Sequence, residues 1–344
     1  PDNISPRILK ELQEELAEIV TKIFQESIDL AEVPQLWKTS YVSAIYKKGN
    51  KSSPSNYRPI SLTCIMCKIL EDIIRKRILE HLTQNELICN NQYGFVPKRS
   101  TTLQLLNVME EWINILDSGG NIDVIYCDVM KAFDQVPKIR LLQKVSSYGV
   151  QGNLLRWIES FLSDRKLTVV VNGEQSSEGN VTSGVPQGSV LGPLLFVIYI
   201  NDMPQCVNSP IYMFADDTKA FREIVDPIDK DILQKDLNNL SKWSKDWLIQ
   251  FHPEKCSVMH LGKNNPKNTY FFNGHKLSIS EAEKDLEVIV DDNLNFSEHI
   301  VSKISKARQI WGMIRRTFKT IDWETFPLLF KALVRPHLEY ANCI

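Results

Sequence analysis

Apolar residues recur along the chain at two spacings, and the switches between them lay out its elements. Between residues 6 and 30, Ile8, Leu9, Leu12, Leu16, Ile19, Ile23 and Phe24 fall three and four apart, the stripe of an amphipathic helix. "YVSAIYKKGN" reads as a strand running into a basic turn, and "SSPSNYRPISL" as a loop punctuated by Pro and Ser. Helical spacing returns around 63–82 and 100–117, where Ser118-Gly119-Gly120 stops it, and again over about 138–163. "LTVVVNGE" is a β segment turning at Asn172-Gly173, and "TYFFNGHKLSI" carries the strongest hairpin signal. "SGVPQGSVLGPLLFVIY" is a Gly/Pro loop opening an apolar helix, with Ser189 as its N-cap and Pro193 in its first turn. Leu233, Leu237, Leu240 and Trp247 mark another amphipathic helix, "PEKCSVMHL" a strand, and the region from Ser297 onward is helical. The mixture predicts an α+β body with helical ends.

Two places break the pattern with acid. Residues 122–129, in "NIDVIYCDVM", are apolar on both alternating faces, as a fully buried strand is, yet Asp128 interrupts them near the end. A carboxylate there is costly unless something pairs with it. In "YMFADDTKAF" the acids Asp216 and Asp217 occupy the tight turn of a hairpin. Their repulsion at about 4 Å is roughly 1 kcal/mol in water and about 4 kcal/mol near a protein surface. Asp291 and Asp292 also follow a strand-like run, so such a pair is not specific by itself and reads there as a solvated turn. If the three acids Asp128, Asp216 and Asp217 lie on neighbouring strands, they form a hard-oxygen donor set suited to Mg²⁺, which keeps waters and completes its shell with substrate phosphates. Two such ions about 3.5–4 Å apart serve in-line phosphoryl displacement.

Composition narrows the class. The 344 residues, 43% hydrophobic and 24% charged, are those of an ordinary globular protein with room for two or three subdomains. A net charge of -2 hides segregation. Lys38–Arg58 holds five basic residues, Lys47, Lys48 and Lys51 among them, and no acid; Glu298–Ile344 holds eight, including Lys319, against four acids. Such stretches suit a polyanion. Seven cysteines without regular spacing indicate free thiols in a reducing compartment, and Cys64-x-x-Cys67 has no second pair at zinc spacing, which makes it core. The longest apolar run, Val190–Ile200, is short of the ~20 residues of a membrane span, so no membrane partner is expected. A start without Met and an end at "LEYANCI" read as a piece of something longer.

"DVMKAFD" at 128–134, "SGVPQGSVLGPLLFVIYINDMP" at 183–204 and "FADDTK" at 214–219 resemble reverse transcriptase motifs A, B and C in order. "NYRPISLTCIMCKILE" and "NQYGFVPKRST" are similar to the fingers motifs of non-LTR, LINE-type retrotransposon polymerases, jockey-like ones in particular, and the resemblance runs from about residue 33 to about 341. It implies a right-hand polymerase fold: a helical extension over 1–36, fingers over 37–117 and 138–177, a palm with an antiparallel sheet over 118–137 and 178–290, and a truncated helical thumb over 291–344. It implies RNA-directed DNA polymerase activity, with two Mg²⁺ (Mn²⁺ a possible substitute), dNTPs, an RNA template and a DNA primer or target. Oligomeric state stays open; the family implies a cytoplasmic ribonucleoprotein and the nucleus.

Carried over residue by residue, Asp128 and Asp216 bind both metals, with Asp217 in support and the Val129 carbonyl as an extra ligand. Phe133 is placed as the steric gate against a ribose 2′-hydroxyl. Arg58 grips the triphosphate, joined by Lys47 or its neighbour Lys48. Gln187 and Gly188 lie under the templating base and incoming nucleotide, where a missing Cβ permits close approach. Lys255 resembles the lysine proposed to protonate pyrophosphate, and Asp134 is structural. Two positions depart from the family pattern: Glu287 replaces the glycine of Leu-Gly-Val at the primer grip, and Val129 replaces an aromatic. These support an alternative, an inactive RNA-binding remnant; a group II intron maturase is opposed by the jockey-like fingers and the "LVRPHLEYA" tail.

Overall fold

The computed structural model describes residues 2, 4–47, 49–318 and 320–344; Lys48 and Lys319 of the basic stretches lie outside the described residues. The chain divides into two compact units, each drawn from separated stretches: 1–95, 129–206 and 242–251 form the first, and 96–128, 207–241 and 252–344 the second.

In the first unit, strand Thr39–Tyr46 lies between Tyr57–Leu62, antiparallel, and Lys166–Val171, parallel. The predicted Pro/Ser loop is thus a strand in its second half. It sits at the sheet edge, where Pro59, which has no N–H to give a ladder, is tolerated. Asn172 and Gly173, both at positive φ, turn the chain into Glu174–Gln175 as expected. The helix Gly192–Ile200 is apolar all round because almost all of it is buried. Ser189 Oγ does accept the Gly192 N–H, but the cap itself falls at Leu191, and the buried Glu71 carboxylate takes the N–H groups of Val190 and Leu191. The first predicted helix is two, Pro6–Glu11 and Gln13–Leu30, and its stripe is largely exposed at Ile8, Leu12, Ile19 and Ile23. Cys64 and Cys67 are fully buried, and all seven cysteines are free thiols.

The second unit is built on a five-stranded sheet with Ile122–Cys127 at its centre, antiparallel to Asp217–Glu223 on one side and to Ser257–Leu261 on the other. Ile211–Phe214 and Ser278–Ile279 form the edges. Helix Thr101–Asp117, capped by Ser100 Oγ accepting the Leu103 N–H, packs on this sheet together with the hairpin Ala282–Asp285/Val288–Asp291. Leu105, Val108, Trp112, Val124, Phe221 and Val290 are among the buried residues between them. Helix Ser297–Thr317 and the short helices after it carry a smaller cluster around Ala307, Ile314 and Val334. Among the described residues no helix is long and apolar enough to cross a membrane.

Candidate active site

Side chains alternate across a strand, so residues two apart share a face. On the face that meets helix Thr101–Asp117, the central strand presents Ile122, Val124 and Tyr126 and leads to Asp128. Its neighbours present Phe221, Lys219 and Asp217, and Leu261, Met259 and Ser257, with Lys255 just ahead. All three therefore run from apolar to charged toward the same end. The pairing Cys127↔Thr218, carried one step further, sets Asp128 opposite Asp217. The sheet brings these two acids together as expected. Asp216 lies in the two-residue turn with Ala215, whose φ is 54°, whereas Asp217 opens the following strand opposite Phe214, so only one of the two acids is a turn residue.

The electrostatics follow from this crowding. Asp217 is exposed as a whole residue, yet its carboxyl is pushed up to about 6. Neighbouring protein displaces water from it, and Asp216, Asp285 and Asp128 add negative charge, which Lys219 only partly offsets. Lys255 Nζ lies 3.6 Å from Asp128 Oδ1, close enough to neutralise it in part. Asp128 is fixed from both ends of its peptide unit: Cys256 Sγ accepts its N–H at 3.4 Å, and its carbonyl accepts the His252 N–H at 2.8 Å. Asp128, Asp217, Lys219, Lys255, Lys284 and Asp285 line one open cavity of about 140 Å³.

The donor set suits Mg²⁺: hard oxygens, with Asp217 resisting ionisation first because protein displaces water from it and then because of the neighbouring acids, whose negative charge a divalent cation would offset. Among the described residues no three His, Cys, Asp or Glu side chains are grouped to hold an ion by themselves. Mg²⁺ is commonly held by one or two carboxylates plus substrate phosphates, so a site completed by substrate fits these residues.

The first unit holds the other singled-out residues. Lys47 and Arg58 are exposed, Lys47 at the end of one strand and Arg58 on its partner, paired with Ile45. Phe133, half-buried in the short helix Ala132–Gln135, stacks on Phe196 with centroids 4.5 Å apart. Gln187 accepts the Ser61 N–H through its carbonyl and donates from Nε2 to Asp134 Oδ1 at 2.8 Å, which gives Asp134 the structural role expected of it. Gly188, at φ 104°, passes so close to the Ser61 carbonyl that a Cβ would collide with it. Here the close approach is to the protein's own strand. Val129 faces Phe251 in an isolated antiparallel bridge.

Several neighbours escaped the sequence reading. Lys219 and Asp285 form a buried ion pair: burial lowers the lysine's pKa while Asp285 pushes it back up. The Tyr126 hydroxyl is buried beside them, and burial together with Asp285 and Glu283 raises its pKa. The signal for Lys219 was the one used for Asp128, a charge inside an apolar strand. The comparison pair behaves differently: Asp291 accepts N–H groups from Asn293, Asn295 and Phe296 and so organises its own turn.

Residues 45–297 match the family described as reverse transcriptase (RNA-dependent DNA polymerase). The chain is 28% identical, over 98% of its length, to a probable RNA-directed DNA polymerase from transposon X-element of Drosophila melanogaster. It is 29% identical, over 99% of its length, to the RNA-directed DNA polymerase from mobile element jockey of Drosophila funebris. It spans 38% of the length of each of these curated relatives. Among solved structures, an apo telomerase from Candida tropicalis, truncated from its C-terminal domain, aligns with TM-score 0.48 and 11% identity over 76% of this chain and 56% of that one.

Proposed function

The chain belongs to the reverse transcriptase (RNA-dependent DNA polymerase) family, and from that premise we propose that it is the polymerase core of a jockey-like non-LTR retrotransposon, extending a DNA primer with dNTPs on an RNA template. The observation that carries this reading is Asp128 set opposite Asp217, with Asp216 in the adjoining turn, at the charged end of one sheet. The proposed architecture is a right hand with fingers, palm and thumb.

Asp128, Asp216 and Asp217 would hold two divalent cations, with the Val129 carbonyl as a further ligand; when bound, the cations supply charge neutralisation at the attacking and leaving oxygens. Asp128 and Asp216 would give oxygens to both cations with Asp217 in support, and the hydrogen bonds of the Asp128 N–H to Cys256 and of its carbonyl to His252 hold the backbone that carries the first of these carboxylates. Lys255, exposed beside Asp128, would give a proton to departing pyrophosphate. Arg58 and Lys47 would bind the triphosphate, Phe133 would exclude a 2′-hydroxyl, and Gln187 with Gly188 would support the base pair, their backbone already fixed by Ser61.

The test is extension of a DNA primer annealed to RNA with Mg²⁺ and dNTPs, comparing the chain with Asp216→Asn/Asp217→Asn. Extension by the first and at least a 100-fold loss in the second is expected. A second reading, an inactive remnant that binds RNA, draws on Glu287, which occupies a left-handed conformation at φ 69°. Template binding with no extension by either protein would favour it.

A further inference from the structure

The hairpin Ala282–Asp285/Val288–Asp291 is fastened to the sheet by polar side chains as well as by its apolar face. Asp285 pairs with Lys219, their side chains only 7% and 4% exposed. Glu283 accepts a hydrogen bond from Ser257 Oγ. The Tyr126 hydroxyl is buried in the same cavity. Lys219, Tyr126 and Ser257 lie on three adjacent strands, the first and last bonded to the hairpin, and each stands two residues from a site residue: Lys219 from Asp217, Tyr126 from Asp128, Ser257 from Lys255. Two residues along a strand is the same face. The hairpin is therefore fixed to the face, and to the end of it, that carries the carboxylates.

A buried ion pair is a poor device for stability alone, because desolving both charges offsets most of their attraction and apolar replacements are often as stable. What it does supply is direction: the pair is satisfied at one distance and one strand register. We propose that Lys219 and Asp285 are positioning residues for the metal-binding carboxylates, locking the strand that starts at Asp217 to the hairpin so that Asp217 stays opposite Asp128. This rests on the polymerase reading for its purpose, while its geometry stands apart from it.

The double variant Lys219→Met/Asp285→Leu removes the pair without changing net charge, and Lys219→Arg keeps it. Three readouts are compared with the unaltered chain: the urea midpoint, Mn²⁺ affinity of the nucleic-acid-free protein by calorimetry, and the Mg²⁺ concentration for half-maximal primer extension. The double variant should unfold at an unchanged or higher urea midpoint, bind Mn²⁺ at least tenfold more weakly and need at least tenfold more Mg²⁺. Lys219→Arg should stay within threefold on both metal readouts. If the apolar pair does not fold, Lys219→Gln/Asp285→Asn, equally neutral, is measured the same way. A folded double variant with unaltered Mn²⁺ affinity would overturn the positioning role. No extension by the unaltered chain, with the affinity loss present, would instead remove the polymerase reading and leave the positioning role standing.

Discussion

Asp217 and Glu287 show at the scale of single residues what the site costs the fold. An acid whose pKa rises on folding binds more protons folded than unfolded between about 4 and about 6, so stability falls as pH rises through that window. Asp217→Asn should therefore raise the melting temperature at pH 7.5 and leave it nearly unchanged at pH 4, and Mg²⁺ should narrow the difference at pH 7.5; thermal scans at the two pH values check this. Glu287 and Leu286, at φ 69° and 46°, form a hairpin turn whose second position favours glycine. The strain of a left-handed side chain is about 1 kcal/mol, more than the exposed Lys284–Glu287 pair returns. Glu287→Gly should stabilise the chain by about 0.5–1 kcal/mol in urea titrations and raise primer extension. Asp128 was legible in the sequence because a charge ending an apolar strand demands a partner. Asp285 was not, since nothing local says that its strand folds back beside Lys219.

The elements were legible where their period was strong. Ile122–Cys127, Thr101–Asp117, Pro227–Trp247 and the Asn273-Gly274 hairpin stand where spacing and turn chemistry put them. Tyr57–Leu62 was missed because a proline reads locally as a loop, whereas tertiary pairing at a sheet edge accepts it. At the other end of the central strand, on its opposite face, Asp123 is fully buried and takes hydrogen bonds from His260, Asn265, Asn268 and Tyr270. Burial alone would raise its pKa, but those bonds hold it below the usual carboxylate range. Its contribution is therefore present above the unfolded pKa and lost as acid protonates it. Asp123→Ala leaves four polar partners stranded and should cost about 3 kcal/mol or more in urea unfolding, with no change in extension per folded molecule.

For the molecule as a whole, neither compact unit is a continuous piece of chain. Truncation after residue 241 removes Ser257–Leu261 and leaves the central strand without one of its two neighbours. The shortened chain should lose its cooperative unfolding transition, as circular dichroism would record. The same separation matters while the protein is being made. Ile122–Cys127, nearly all buried once folded, leaves the ribosome long before Leu261 exists. At about 5–20 residues per second, the wait from Asp128 to Leu261 is roughly 7–27 s. Through that interval an apolar strand has at least one bare edge, and two until Asp217–Glu223 is made, open to any other nascent strand. Translation speed thus sets how long the centre of the site is exposed to mispairing, and the slowest-born strand closes it.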